Sequence, residues 1–254
     1  MSGLRHQDKV ALITAATDGI GYAIAERLGK EGAKVVISSR KQKNVDAAVN
    51  NLRQQGIEVM GLVCHVGKKE HREALIQETV AKYGGIDILV SNAAVNPVYG
   101  PMLKVTTEEA WDKIFDINVK ASFFLVKSAM PYMKNRKGAS VILVSSIGGF
   151  TPDKSLGAYS TSKTAMFGLV KNLAVECAEF GVRVNGLAPG LIKTRFSKQL
   201  WDGRESEAVG FSIPLGRIGL PEDCGAVVSF LASDDAAFVV GENIVAAGGQ
   251  LSRL

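Results

Sequence analysis

The sequence predicts an α/β fold in which a parallel seven-stranded sheet is flanked by helices on both faces. Short apolar runs alternate with longer segments of helical period, the pattern of repeated strand–helix–strand units. Most of the short runs are apolar throughout, as strands buried on both faces are. The chain has 254 residues, 46% hydrophobic and 22% charged, within the range of globular proteins. No repeat, charge run or Gly/Ser linker divides it, so a single domain over residues 1–254 is the economical reading.

The first strand, Val10–Thr14, leads through Ala15-Ala16-Thr17-Asp18-Gly19-Ile20-Gly21 into a helix predicted over Gly21–Lys30. Gly19 and Gly21 let the backbone approach a pyrophosphate, and the helix amino end supplies N–H donors and a positive dipole. Such a glycine pair also fits an ordinary strand-to-helix turn. Its place at the head of an alternating chain favours the phosphate and makes the domain doubly wound and Rossmann-type, with ligand beyond the carboxyl ends of the strands. The second strand, Lys34–Ser38, ends Ser38-Ser39-Arg40-Lys41. A carboxylate here would bind the ribose 2′-hydroxyl of NAD. An arginine accommodates the 2′-phosphate of NADP, and this turn has Arg40 and no carboxylate. A solvated turn is the other reading of Arg40 and Lys41; the preceding loop favours NADP(H).

The remaining elements follow in alternation: a helix at Val45–Gln54, a strand at Glu58–Cys64, a helix at Lys69–Tyr83 and a strand at Ile88–Ser91. A long helix is predicted over Thr107–Lys134, capped by Thr107 and acidic in its first turn at Glu108 and Glu109. A strand at Ser140–Ser145, a helix at Ala158–Phe180 and a strand at Val182–Leu187 come next. The last helix, Pro221–Ala232, has proline at its first position and precedes the strand Asn243–Ala246.

Tyr159 and Lys163 stand four apart near the start of a helix, so they share a face. A phenol is a poor base at neutral pH, but an ammonium within ~4–5 Å favours its anion by up to roughly 3–4 kcal/mol before screening. The spacing alone also fits an exposed helical pair. Ser146, thirteen residues earlier at the carboxyl end of a strand, tips the balance, because its hydroxyl can hold a substrate oxygen beside the tyrosine.

With these motifs the chain resembles the short-chain dehydrogenase/reductase family over nearly its whole length. The matching pieces run in family order: the loop Thr14–Gly21, Ser91-Asn92-Ala93-Ala94, Asn118, Ser146, Tyr159-Ser160-Thr161-Ser162-Lys163, and Pro189-Gly190 followed by Thr194. The resemblance implies an oxidoreductase with a catalytic tetrad of Asn118, Ser146, Tyr159 and Lys163. Tyr159 would be general acid in reduction and Ser146 would orient the carbonyl. Lys163 would hold the nicotinamide ribose and lower the tyrosine pKa, and Asn118 would hold a water in a proton relay. Cofactor contacts would come from Thr14, Ala15, Asp18, Gly19, Ile20 and Gly21, from Ser39 and Arg40, from His65 and Val66, and from Asn92, Ala93 and Ala94. Pro189, Gly190, Ile192 and Thr194 would line the nicotinamide.

Three departures from the family pattern stand out. Ala15 replaces the usual second glycine-loop residue and Ala94 the usual glycine after the fourth strand; both suit a cofactor provided the local φ is negative. His65 stands where the family has an aspartate against the adenine amine, and offers a ring nitrogen there or simply ends a strand in solvent. Within the family, Ser38–Gln42, Asp87–Pro97 and Leu187–Thr194 look like the NADP-dependent carbonyl reductases and retinol dehydrogenases of peroxisomes. That likeness implies reduction of ketones, α-dicarbonyls and retinal by a homotetramer. The ending Ser252-Arg253-Leu254 resembles the Ser-Lys-Leu peroxisomal address read by the import receptor; a frayed terminus in a cytoplasmic protein is the alternative.

Substrate would meet Ser146, Gly148, Phe150, Leu156 and Tyr159, with Asn96 and the stretch Phe196–Phe211, including Trp201, completing an apolar wall suited to a small-molecule carbonyl or alcohol. Residues 190–212 carry glycine and mixed charge, as a lid would. A 3-oxoacyl-thioester reductase of the same fold is the nearest alternative, and a non-catalytic binding protein using the net charge of +5 is another. The charges alternate in sign, so nucleic acid is not expected. Three cysteines without paired spacing suggest a reducing compartment and no metal site. The longest uncharged run, Ile88 to Leu103, is broken by Pro97, Gly100 and Pro101 and cannot span a membrane as a helix, and the polar start leads us to expect no secretory signal.

Overall fold

All seven apolar runs become strands in a computed structural model that describes residues 4–151, 153–203, 205 and 213–252. They are β1 (Val10–Ile13), β2 (Lys34–Ser39), β3 (Val59–Val63), β4 (Ile88–Ser91), β5 (Ser140–Val144), β6 (Arg183–Pro189) and β7 (Asn243–Ala246). Every pairing is parallel and the order is β3-β2-β1-β4-β5-β6-β7. The order reverses at β1, where Ala11 lies opposite Val35 on one side and Ile88 on the other. Beyond the carboxyl ends of β1 and β4 this reversal opens a crevice, the ligand position of doubly wound sheets.

Alternate strand residues serve two separate cores, which is why the strands read as continuous apolar runs. Ala11, Ile13, Val35 and Ile37 pack with α1 (Gly19–Lys30), α2 (Gln42–Gln54) and α9 (Pro221–Ala232). Leu12, Val36, Leu89 and Val141 pack on the other face with α3 (Lys69–Tyr83), α6 (Ala121–Met133) and α7 (Gly157–Ala178). The first and last helices of the first face touch backbone to backbone, since a Cβ on Gly225 would lie 2.9 Å from the Ala23 carbonyl oxygen. Helix ends follow local chemistry. Asp18 accepts from the Gly19 N–H at the start of α1, α3 stops at Gly84 with φ +78°, and Pro221 opens α9.

The helix expected over Thr107–Lys134 is interrupted. It divides into α5 (Glu108–Phe115), a π-turn (Asp116–Lys120) and α6, and the Ala121 N–H reaches back five residues to the Asp116 carbonyl. The extra residue in the turn coincides with burial of both Ile117 and Asn118. Two short helices, α4 (Met102–Val105) and α8 (Lys198–Trp201), span too few residues to show a period. No helix among the described residues is long and apolar enough to cross a membrane, and none of their His, Cys, Asp and Glu side chains group as a metal site. Cys64, Cys177 and Cys224 are buried thiols. The expected lid at 190–212 is described only as far as 203 and at 205, and of the terminal tripeptide only Ser252 lies among the described residues.

Candidate active site

The loop between β1 and α1 is clamped from behind. Asn92 at the end of β4 donates through Nδ2 to the carbonyls of Thr14 and Ala15, each at 3.1 Å, and its own N–H donates to Thr14 Oγ1. A Cβ on Gly21 would fall 2.5 Å from the Ala15 carbonyl oxygen, so glycine is required for this closure. Gly19 has φ +56°. Ala15 has φ +51°, so the proviso of negative φ at the Ala15 departure is not met. The clamp on its carbonyl coincides with a conformation that glycine adopts without penalty and alanine does not.

A cavity of about 690 Å³ opens beyond this loop, and Ala15, Asp18, Gly19 and Ile20 line it together with Ser146, Tyr159 and Lys163. Asn92, Ala94, Pro189, Gly190, Ile192 and Thr194 line it as well, so the expected phosphate and nicotinamide contacts converge on one space. Thr14, Gly21 and Ala93 lie behind that surface, and Val66 is buried with its carbonyl held by Arg72. Ser39 and Arg40 stand at the carboxyl end of β2, with Arg40 exposed and in no ion pair among the described residues. His65 accepts the Gly67 N–H on Nδ1, which leaves the proton of the neutral ring on Nε2. Burial, Lys113 and Arg40 hold its pKa below the ordinary value.

Ser146 follows β5 in extended backbone and caps a one-turn 3₁₀ helix, its Oγ accepting the Gly148 N–H at 3.1 Å. Tyr159 is hydrogen-bonded to Ser146, and the Lys163 Nζ lies 5.5 Å from the Tyr159 ring centroid. The same Nζ donates to the Val144 carbonyl at 2.9 Å, and Ser145 Oγ donates to the Lys163 carbonyl, so the end of β5 holds α7 in register. Burial raises the Tyr159 pKa well above that of a free phenol, partly offset by the Ser146 hydrogen bond. Burial also pushes Lys163 down to about 7. The expectation that an ammonium at Lys163 would dominate the tyrosine is therefore reversed: the low-dielectric surroundings disfavour charge on both groups.

Asn118 belongs to the same hydrogen-bonded frame without lining the cavity. Its Oδ1 accepts from the Val95 N–H, and its Nδ2 donates to the Val95 carbonyl and to Ser162 Oγ, which in turn donates to the Tyr159 carbonyl. Both amide protons are spent on protein, so the side chain holds the β4 loop against α7. Gly148 and Leu156 line the substrate end, but Phe150 does not; its ring stacks on Phe167 at 4.0 Å. Trp201 also stays out of the wall, donating to Ser197 Oγ under the Lys193 ammonium. Sequence reasoning missed Tyr99, Thr151, Gln250 and Leu251, which line the cavity from three distant loops and share no spacing to reveal them. Phe196 covers Tyr159 with ring centroids 5.9 Å apart, and Tyr99 reaches the Phe196 carbonyl.

The family model described as Enoyl-(Acyl carrier protein) reductase matches residues 14–250. Dehydrogenase/reductase SDR family member 4 of Bos taurus is 55% identical, over 97% of this chain and 88% of its own length. The chain belongs to the short-chain dehydrogenase/reductase family. As a short-chain dehydrogenase/reductase it is an oxidoreductase that uses a nicotinamide cofactor. The Homo sapiens protein of the same name is 54% identical over 100% of this chain and 92% of its own, and Tropinone reductase-like 3 of Erythroxylum coca is 51% identical over 100% and 97%. A solved short-chain dehydrogenase/reductase from Brucella melitensis, titled a glucose/ribitol dehydrogenase, superposes with a TM-score of 0.90 at 28% identity, covering 98% of each chain.

Proposed function

We propose that this short-chain dehydrogenase/reductase is an NADPH-dependent carbonyl reductase, working in reverse on the matching alcohols, with ketones, α-dicarbonyls and retinal-like carbonyls as substrates. The carrying observation is Ser146 beside the buried Tyr159 and Lys163, on the wall of a cavity whose other end is the glycine loop. The residues fit a dinucleotide: the loop is so tight that a Cβ on Gly21 would strike backbone, and the first turn of α1 has N–H groups without helical partners. Gly19 to Gly21 would hold the pyrophosphate, Arg40 the 2′-phosphate, Lys163 the nicotinamide ribose, and Ile192 and Thr194 the carboxamide. His65 would give adenine an N–H donor, not an acceptor for its amine. The bound nicotinamide would supply the hydride.

The rest of the chemistry falls to the chain. Ser146 Oγ–H holds the carbonyl oxygen and polarises it. Tyr159, whose raised pKa keeps its proton on oxygen, donates that proton to the same atom as the alcohol forms. Asn118 and Ser162 act on Tyr159 by position. The ending Ser252-Arg253-Leu254, similar to the Ser-Lys-Leu address, supports carriage by the peroxisomal import receptor, and the homotetramer is what the resemblance to the family implies.

Consumption of NADPH against aromatic ketones, retinal and 3-oxoacyl thioesters tests the reading. Tyr159→Phe should lower kcat by about 10²–10⁴; an unchanged rate would remove Tyr159 from the mechanism. Arg40→Asp should raise KM for NADPH at least about tenfold, the loss of charge-assisted hydrogen bonds, with little effect for NADH. Equal effects would refute NADP preference. The thioesters are included because the matched family model carries an acyl-carrier name. The cations near the mouth do not favour an acidic carrier, since Lys193, Arg195 and Lys198 pair with Glu205, Asp18 and Asp202.

A further inference from the structure

Among the described residues, the wall of the active-site cavity carries two cations, Lys163 and Arg195, and two carboxylates, Asp18 and Asp153. Arg195 and Asp18 answer each other at the cofactor end, and the Lys163 Nζ is tied to the Val144 carbonyl beside Tyr159. Asp153 is different. It is exposed on the wall and forms no ion pair among the described residues. Its Oδ1 accepts from the Ser155 N–H at 2.7 Å and from the Ser155 hydroxyl, which fixes the turn, while Oδ2 takes no hydrogen bond there. The neighbouring Lys154 is exposed and lies outside the wall. Two aromatic side chains join Asp153. The Gly100 N–H donates to the Ser155 carbonyl at 3.0 Å, so the loop that carries Tyr99 is bonded to the Asp153 turn. Tyr99 reaches the Phe196 carbonyl, and both rings line the wall. The Phe196 ring stands 5.9 Å from that of Tyr159. The Tyr159 anion, disfavoured mainly by burial, is disfavoured further by Tyr99, which places that phenol near the catalytic one.

An unpaired carboxylate between aromatic rings is the set of groups that recognises an alkylammonium. The carboxylate supplies the opposite charge, and the rings attract the cation through their quadrupoles while packing on its alkyl groups. An uncharged donor would gain little from the rings, and an anion would be repelled. Resting on the reading of this site as a carbonyl-reducing one, we infer that Asp153, with Tyr99 and Phe196, forms a subsite for the cationic nitrogen of amino ketones, whose carbonyl then lies at Ser146 and Tyr159. Uncharged ketones and dicarbonyls keep the apolar part of the wall and both hydroxyls, so the preference adds to the substrates proposed above and excludes none of them.

The test pairs a six-membered cyclic ketone that carries a dimethylammonium ring nitrogen opposite its carbonyl with the carbon counterpart, in which a quaternary carbon replaces that nitrogen. Shape is shared and the charge is permanent, with NADPH consumption as the readout. The charge also activates the carbonyl, so the deciding quantity is how the charged-to-neutral ratio of kcat/KM changes with the protein. In Asp153→Asn, whose amide oxygen still accepts from Ser155, the ratio should fall about three- to fivefold through the KM of the charged ketone, the effect of one exposed ion pair. Raising salt should lower the wild-type ratio towards that of the variant. A ratio unchanged in Asp153→Asn, or a wild-type ratio indifferent to salt, overturns the assignment, and the salt series decides even if the variant does not fold. Reduction of both ketones with either of those results sinks the role of Asp153 alone; reduction of neither sinks carbonyl reduction and this inference with it.

Discussion

Ala15 shows what a single residue in a phosphate loop can conceal. Its φ of +51° belongs to the left-handed region, where a Cβ costs roughly 1–2 kcal/mol relative to glycine. Ala15→Gly should therefore raise stability by about 1 kcal/mol after the entropy of the added glycine is counted, seen as a higher urea midpoint with an unchanged slope. A lower midpoint would mean that the Cβ makes a contact worth more than the strain. The sequence offered the identity of this residue but not its φ, since the conformation comes with a clamp from Asn92, 77 positions away. The tetrad residues Ser146, Tyr159 and Lys163 were legible because strand end and helix spacing suffice to bring them together. Phe150 was not, because one step along the 3₁₀ turn sends its ring to Phe167.

Among the elements, the start of the segment after β6 lies against the glycine loop. Thr194 lies against Gly19, with its Cγ2 3.2 Å from where a Cβ would stand, and Arg195 pairs with Asp18 at 2.9 Å. The segment thus latches onto the glycine loop across the mouth of the cofactor groove. The pair is exposed, and exposed pairs are worth at most about 1 kcal/mol, so Arg195→Ala should weaken NADPH binding by no more than about fivefold. Raising salt should shrink the difference between wild type and variant, measured by cofactor fluorescence titration. A larger loss, or one insensitive to salt, would show that Arg195 touches the cofactor itself. The seven strands and the major helices were legible from apolar periodicity. The π-turn that carries Asn118 was not, since its extra residue leaves Thr107–Lys134 looking like one continuous amphipathic helix.

Across the whole molecule, burial of ionisable groups sets the pH range of stability. Lys163 titrates at about 7 when folded and at 10.5 when not, so above pH 7 the unfolded chain binds more protons and stability rises with pH. The buried thiols act with the opposite sign. Cys64 and Cys177 are raised from 9.0 to about 11 and Cys224 to about 12, so above pH 9 the unfolded chain loses protons first and stability falls. Urea midpoints should pass through a maximum between pH 8 and 9, and Lys163→Met should flatten the rising limb alone. A rising limb that persists in the variant would assign it elsewhere. The close approach of Gly225 to Ala23 bears on how this fold is reached during synthesis. By the time β6 has left the ribosome, the glycine loop, Ser146 and Tyr159 have all been made, yet the face of α1 that α9 covers is still bare. Co-translational folding of this protein must wait for its last quarter, and until then the nascent chain presents a greasy helix as a natural client for a chaperone.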